Sequence, residues 1–226
     1  MEIKYYGHSC FSVKAGGKTL LFDPFIKGNP LAAGIDIKDI HADYILISHG
    51  HHDHTDDALE IAKNCNSTII SVFEIAEWAK KNGCDKTVSM NTGGSREFDF
   101  GMVKLVNAVH SSSFKDGTYA GNPVGFVIND GEKTFYFAGD TSLCHDMKMI
   151  PERYKLDFAF LPIGSNFTMD VEDAVKAAEY LQCNTIIGMH YDTEEKIKID
   201  HDEARRNFNS RGRLLMLFKI GESFEL

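Results

Sequence analysis

Apolar residues recur along this chain in short runs or alternations and in longer stretches with helical spacing. The short runs are bounded by glycine, proline or asparagine, which is typical of strands. The longer stretches place their apolar residues on one side, as amphipathic helices do. We predict strands at 3–6, 11–13, 19–22, 44–47, 68–72, 102–106, 126–128, 134–138, 157–161, 185–189 and 214–218, and helices at 56–64, 75–82, 171–181 and 201–210.

The order of these elements predicts a mixed α/β fold. Strands and helices alternate from 44 to 82, strands and turns occupy 87–138, and alternation returns after 157. Gly16-Gly17 and Asn129-Asp130-Gly131 are hairpin signals. This order fits a sandwich of two sheets with helices outside. No linker or repeat interrupts it, so we predict a single domain over residues 1–226.

Composition and charge limit the classes of partner that this protein can bind. The apolar fraction of 43% and charged fraction of 25% are ordinary for a globular protein, and the formal charge of −9 disfavours a nucleic-acid surface. No apolar run is long enough to span a bilayer, and the N-terminus lacks a signal-peptide profile. The five cysteines form no C-x-x-C pair, so we expect reduced thiols. We expect a cytoplasmic protein with a small-molecule substrate; whether it forms a homo-oligomer stays open.

Unusual chemistry follows the strand predicted at 44–47. The stretch Ser48-His49-Gly50-His51-His52-Asp53-His54 has the pattern H-x-H-x-D-H. Imidazole nitrogens and a carboxylate oxygen suit Zn²⁺ and other borderline metals, and we expect Gly50 to let the backbone turn sharply so that they converge. A histidine-rich surface loop is the alternative, but it would not explain the position directly after a buried strand. We interpret the stretch as a metal site.

Further metal-ligand residue types follow other predicted strands, namely His110, Asp140 and His190. Each alone could merely cap a turn, but loops at strand ends are where scaffolds present functional groups. Together with the cluster they divide into two sites, whose metals, about 3.5–4 Å apart, could share a hydroxide. We expect one metal at His49, His51 and His110, another at Asp53, His54 and His190, and Asp140 as the bridge.

The order H-x-H-x-D-H, a distant histidine, Gly-Asp-Thr and a last histidine resembles the metallo-β-lactamase superfamily. Within it, the chain is similar to small metal-dependent hydrolases akin to ascorbate-6-phosphate lactonase. The resemblance implies a four-layer αββα sandwich, and it implies that Asp23 orients a cluster histidine, the alternative being a turn before Pro24. Ser165 departs from the glycine that similar proteins tend to carry. The supporting stretches are Tyr6-Gly7-His8-Ser9-Cys10, Asp23-Pro24-Phe25, Gly121-Asn122-Pro123 and Leu161-Pro162-Ile163-Gly164.

Two further features flank the predicted ligands. His8 follows the first strand, and it could donate a proton or hydrogen bond to substrate or be a structural histidine. The segment 114–123 contains two glycines and follows His110, so it could be a lid or an ordinary connection. We take His8, Asp23 and Asp53 as catalytic candidates. We assign surface positions to His41, His52, His145 and His201.

The resulting hypothesis is a dinuclear hydrolase whose metal-bridging hydroxide attacks an ester, lactone, amide or phosphodiester in a small substrate that can be anionic. We expect two divalent ions, with Zn²⁺ first and Mn²⁺ or Fe as alternatives. A metal-dependent nuclease is disfavoured by the acidic composition, and a non-catalytic binding module by the intact ligand set. Among iron redox enzymes of the superfamily, the flavo-diiron branch has Glu at the position of His51. The sulfur-dioxygenase branch holds one iron with residues at the positions of His49, His51 and Asp140. The retention of Asp53, His54 and His190 therefore disfavours it.

Overall fold

The computed structural model describes residues 1–226 and contains fourteen strands and five α-helices. The strands are β1 (Glu2–Gly7), β2 (Cys10–Ala15), β3 (Lys18–Phe22), β4 (Tyr44–Leu46), β5 (Thr68–Val72), β6 (Thr87–Met90), β7 (Ser95–Phe98), β8 (Gly101–Asn107), β9 (Val124–Asn129), β10 (Thr134–Phe137), β11 (Phe158–Pro162), β12 (Thr185–Met189), β13 (Leu214–Met216) and β14 (Ser223–Glu225). The helices are α1 (His52–Thr55), α2 (Ala58–Cys65), α3 (Phe73–Lys81), α4 (Val171–Tyr180) and α5 (His201–Ser210).

The strands form two seven-stranded sheets, each half antiparallel and half parallel. The first sheet has the order β14-β1-β2-β3-β4-β5-β6, and the second has the order β13-β12-β11-β10-β9-β8-β7. Strands β3 to β6 are parallel, as are β10 to β13. Helices α2 and α3 pack on the first sheet, and α4 and α5 on the second. The predicted αββα sandwich is confirmed.

Aromatic side chains join the two sheets face to face. Phe22 of the first sheet stacks on Phe137 of the second, with ring centroids 4.6 Å apart, and Phe11 lies 4.8 Å from Phe160. All four are fully buried and belong to one cluster of 61 buried residues drawn from both sheets. Each buried Phe side chain contributes about 1.5–3 kcal/mol, so this packing fixes how the sheet edges meet.

The strand ends that carry the predicted ligands lie at one edge of the sandwich. Within each sheet, the pairing makes β1, β3 and β4 point one way and β8, β10 and β12 point one way. The residues that follow these strands are, in order, His8, Asp23, the H-x-H-x-D-H stretch, His110, Asp140 and His190. The two sheets therefore present six loops to a common space; four of them carry the predicted ligands, and the other two carry His8 and Asp23.

Three short strands and one short helix escape the sequence patterns. The strands β6, β7 and β14 are edge strands whose residues are mostly exposed or half-buried, so they lack an apolar alternation. Helix α1 lies inside the histidine cluster, where no apolar stripe predicts it. Strand β8 ends at Asn107, so His110 lies in a loop and does not end the strand itself. None of the helices combines the length and apolar character needed to cross a bilayer.

Candidate metal centre

Two groups of converging donor atoms contain the predicted ligands other than Asp140, and a third group, Asp23 with His49 and His54, links them. The ring nitrogens of His49, His51 and His110 lie within 4.8 Å of one another. A second group, also within 4.8 Å, joins Asp53, His54 and His190 with His8, which sequence reasoning did not count as a ligand. The groups match the two predicted sites, apart from that addition.

Asp140 lies between the two groups. Its Oδ2 atom is 3.0 Å from Nε2 of His190 and 3.4 Å from Nε2 of His54, both in the second group. The same oxygen is 3.6 Å from Nε2 of His110 and 3.9 Å from Nε2 of His49, in the first group. One carboxylate therefore faces both groups, which is the position that a bridging ligand needs.

Polar atoms left without partners indicate that the donor set fits cations. Asp140 Oδ1 and His54 Nε2 are buried and accept or donate no hydrogen bond, although buried polar atoms are normally paired. His49 Nε2 and His51 Nδ1 are only 3.0 Å apart, and two lone pairs at that distance need a proton or a cation between them. Imidazole nitrogen and carboxylate oxygen are donors that zinc accepts, so the residues present fit divalent metals.

Asp23 and Ser48 orient a histidine of each group. Asp23 is fully buried; its Oδ1 accepts the Ser48 backbone N–H at 2.7 Å, and its Oδ2 accepts His54 Nδ1–H at 2.8 Å. Ser48 Oγ donates to Asp23 Oδ2 at 2.6 Å and lies 2.9 Å from Nδ1 of His49. Both rings therefore keep Nε2 free to face Asp140. Sequence reasoning did not single out Ser48, although it directly precedes His49.

His8 is held at both ring nitrogens. Its Nε2 lies 3.1 Å from Asp53 Oδ2, and its Nδ1 lies 2.9 Å from Thr193 Oγ1. In the neutral ring, Nε2–H donates to the carboxylate and Nδ1 accepts from the threonine hydroxyl. Burial, followed by the neighbouring His190, lowers the pKa of His8 to about 4 despite Asp53, so the neutral form prevails. Thr193 stands in no recognisable motif, and only its position in the fold reveals this contact.

The electrostatic environments of the two groups differ. Burial and neighbouring imidazoles lower the pKa of His49, and burial likewise lowers the pKa of His51 and His110, so the first group offers neutral lone pairs. In the second group burial also acts downward, but the Asp140 carboxylate outweighs it and raises the pKa of His190 to about 9. The pKa of His54 is also lowered by burial, but Asp140 and other carboxylates outweigh that effect and raise it well above its usual value. A metal entering the second group must displace protons.

Close packing explains Gly50, whose role differs from the predicted sharp turn. Its φ angle is not in the left-handed region, but a Cβ at Gly50 would overlap the side chain of Ala120. The Gly50 N–H also donates to Ser112 Oγ at 3.2 Å. The loop after His110 is thus seated on the H-x-H-x-D-H stretch. Whether its outer part moves as a lid stays a prediction.

Ser165 adopts a left-handed conformation with φ of 63°. Glycine occupies this region without steric cost, which accounts for the glycine that similar proteins tend to carry. The side chain is exposed, so the departure leaves the metal ligands untouched. The histidines assigned to the surface are exposed or half-exposed; they are His41, His52, His145 and His201.

A family profile described as a β-lactamase superfamily domain matches residues 2–190, which include every predicted ligand. The chain belongs to this superfamily. A relative named UPF0173 metal-dependent hydrolase, from Flavobacterium johnsoniae, is 54% identical over 226 residues and is covered completely in both chains. Among solved structures, the metallo hydrolase Igni18 from Ignicoccus hospitalis is 34% identical with a TM-score of 0.89, covering 100% of this chain and 98% of that one.

The superfamily fold extends to more distant proteins. An isothiocyanate hydrolase from Delia radicum gut bacteria is 20% identical and has a TM-score of 0.81, with 100% of this chain and 99% of that chain covered. At this identity the likeness concerns the fold alone. The nearer relatives are named as metal-dependent hydrolases along their full length, so the predicted enzyme class is confirmed at that level.

Proposed function

We propose that this β-lactamase superfamily member is a dinuclear metal-dependent hydrolase that cleaves an ester, lactone, amide or phosphodiester bond of a small substrate. The observation that carries the proposal is the position of Asp140, whose Oδ2 lies within 3.9 Å of Nε2 atoms from both donor groups. A mononuclear site at His49, His51 and Asp140 would leave Asp53, His54 and His190 without a role, although they converge on the same carboxylate.

The residues present would hold two ions. We assign His49, His51 and His110 to one ion and Asp53, His54 and His190 to the other, with Asp140 contacting both; Zn²⁺ is our first expectation and Mn²⁺ or Fe the alternative. When bound, such ions make hydroxide available near neutral pH and polarise the carbonyl or phosphoryl oxygen of the substrate.

The protein's own groups hold and orient this arrangement. Asp23 fixes the ring of His54 directly and that of His49 through Ser48, so that both present Nε2. Asp53 is 23% exposed, whereas Asp23 and Asp140 are buried, so Asp53 is the carboxylate that a substrate can reach. Burial would raise the pKa of Asp53, but His54, His190 and His8 hold it well below its usual range, so Asp53 starts as a carboxylate. We assign to Asp53 the relay of a proton from the attacking water to the leaving group. His8 donates to Asp53 and holds its orientation.

Metal analysis tests the proposal most directly. Protein purified without chelators should contain two Zn or Mn ions per chain, and it should hydrolyse 4-nitrophenyl acetate or bis(4-nitrophenyl) phosphate. Chelation should abolish turnover, and restored metal should return it. One iron per chain together with absent hydrolysis would contradict the proposal and favour the redox branch of the superfamily.

A further inference from the structure

Large apolar side chains are exposed on loops at the mouth of the metal centre. Val109 is 46% exposed, Tyr119 is 61% exposed and Phe167 is 47% exposed. We call these three residues the apolar rim. Single exposed apolar residues are common on proteins, but several on loops that border one site indicate a binding surface.

Hydrogen bonds tie two rim loops to the residue that follows Asp140. The Val109 N–H donates to Thr141 Oγ1 at 3.0 Å. The Met169 N–H donates to the Thr141 carbonyl at 3.2 Å, which anchors the loop that carries Phe167. Val109 also directly precedes His110. Both rim side chains are therefore placed by the segment that supplies the bridging carboxylate.

The third rim residue lies on a loop that contacts the H-x-H-x-D-H stretch. Tyr119 pairs with Ser113 in an isolated β-bridge, and the neighbouring Ala120 packs directly against Gly50 of the H-x-H-x-D-H stretch. The Tyr119 hydroxyl donates to Asn122 Oδ1 at 3.0 Å, within its own loop. This contact holds the ring in place without covering it, so its apolar face stays exposed.

Cations near these loops do not form a phosphate clamp. Lys27 is paired with Asp57 and Glu60, and Lys115 lies 3.9 Å from Asp56. Lys196 is the cation without a carboxylate partner, and it lies 6.0 Å from the Phe167 ring centroid, at the limit of a cation–π contact. Recognition of a phosphoryl group usually relies on several convergent donors, often from arginine. A single lysine favours a neutral or weakly charged substrate.

We propose that the substrate is an acyl compound whose alkyl or aryl group packs on the apolar rim while its scissile bond lies at the metal centre. This inference rests on the proposed hydrolase function and narrows it to esters, lactones or amides with an apolar arm. The polar acyl group of such a molecule matches the metal centre, and its apolar arm matches the apolar rim beside it.

Product-like carboxylates provide a binding test that does not require turnover. Acetate and octanoate present the same carboxylate to the zinc-loaded protein and differ only in the alkyl chain. The ratio of their affinities, measured by calorimetry, therefore gives the contribution of the apolar rim to binding. We expect octanoate to bind about 10- to 50-fold more tightly, the effect of burying two to three methylenes. In the variant with Val109→Ala, Tyr119→Ala and Phe167→Ala, the ratio should fall to about threefold or less. Leu214→Ala is the control, since Leu214 is 52% exposed at the start of β13, away from the site.

Equal affinities in the unmodified protein, or an unchanged ratio in the triple variant, would overturn the inference. A change in the oligomeric state of the triple variant by light scattering, with the ratio unchanged, would identify the rim as a subunit contact and also overturn it. The hydrolase proposal is tested separately, by turnover of 4-nitrophenyl acetate and 4-nitrophenyl octanoate. A chain-length preference in binding without turnover of either ester would support the rim and count against the hydrolase.

Discussion

Replacing Asp23 with Asn tests how the residues that orient the predicted ligands control metal binding. The change keeps the side-chain shape but removes a buried negative charge and converts one acceptor into an NH₂ donor. Asp23 accepts N–H and O–H of Ser48 and Nδ1–H of His54. In the variant, the Asn NH₂ group would replace Oδ2, so one of its N–H groups would face a donor, either Ser48 Oγ–H or His54 Nδ1–H. If it faces His54, that ring must carry its proton on Nε2, the atom that faces Asp140.

The magnitude follows from these contacts. Asn can keep the hydrogen bond from the Ser48 backbone but loses the two at Oδ2, each worth about 1.5–3 kcal/mol when the acceptor is charged. Burial raises the pKa of Asp23, so removing the buried charge offsets part of this loss. We expect the metal-free protein to lose about 2–4 kcal/mol in free energy of unfolding. Loss of a residue that orients a ligand should weaken zinc binding about 10- to 100-fold.

The assay pairs urea unfolding of the metal-free protein with zinc titration against a chromophoric chelator. Asp57→Asn is the matched control, because Asp57 is fully buried and accepts the backbone N–H groups of Ile26 and Lys27 at 2.6 and 2.9 Å. It should lose stability but keep its zinc affinity. If Asp23→Asn binds zinc as the unmodified protein does, or no worse than Asp57→Asn, then Asp23 only supports the turn before Pro24.

Further predictions concern the bridge, the protons, His8 and the loop. Asp140→Ala should weaken the binding of both ions, measured by equilibrium dialysis. If the variant still holds two ions tightly, the assignment of Asp140 as the bridging ligand is wrong. The pKa of His190 is raised to about 9 in the metal-free fold, so its stabilising charge is fully present below about pH 6.5 and is lost as pH rises through about 9. The pKa of His54, which we assign to the same ion, is raised as well. Zinc binding near pH 7.5 should therefore release about two protons, one each from His190 and His54, seen by calorimetry in buffers of different ionisation enthalpy; no release would contradict these pKa shifts. His8→Ala should lower kcat by roughly 10²–10⁴ for poor leaving groups and by less for a nitrophenyl ester, whose leaving group needs no proton. Retained binding of both ions would make His8 the acid, whereas weaker binding of the ion at Asp53 would identify a positioning role. Shortening 114–123 should alter substrate selection without loss of metal, and loss of metal would make the loop structural.

Local sequence determined the chemistry of the centre and most of the elements. The H-x-H-x-D-H stretch brings its donors together within a few residues, so chain connectivity alone keeps them close. Short apolar runs located the strands that are buried on both faces, because both sets of side chains must then be apolar; β5 and β12 have the predicted bounds. The placement of His190 directly after β12 was visible for the same reason.

Only the tertiary structure decided which distant groups meet. The contact of His8 with Thr193 joins residues 185 positions apart, and Asp140 comes between the two histidine groups because the two sheets pack through their aromatic faces. The edge strands β6, β7 and β14 pair through backbone hydrogen bonds with little buried apolar content, so no pattern marks them. The edge strand β13, which buries Leu215, was visible in the sequence.

Tertiary contacts also impose backbone conformations that local preference disfavours. His8, Asp23 and His190 all have positive φ, with values of 57°, 41° and 56°. A non-glycine residue in this region costs about 1–2 kcal/mol, and no short-range signal predicts it. The hydrogen bond from His190 N–H to the His8 carbonyl, at 3.0 Å, joins two of these strained turns. Such long-range bonds offset the local strain and hold the ligands in place, which is information that the sequence carries only through the complete fold.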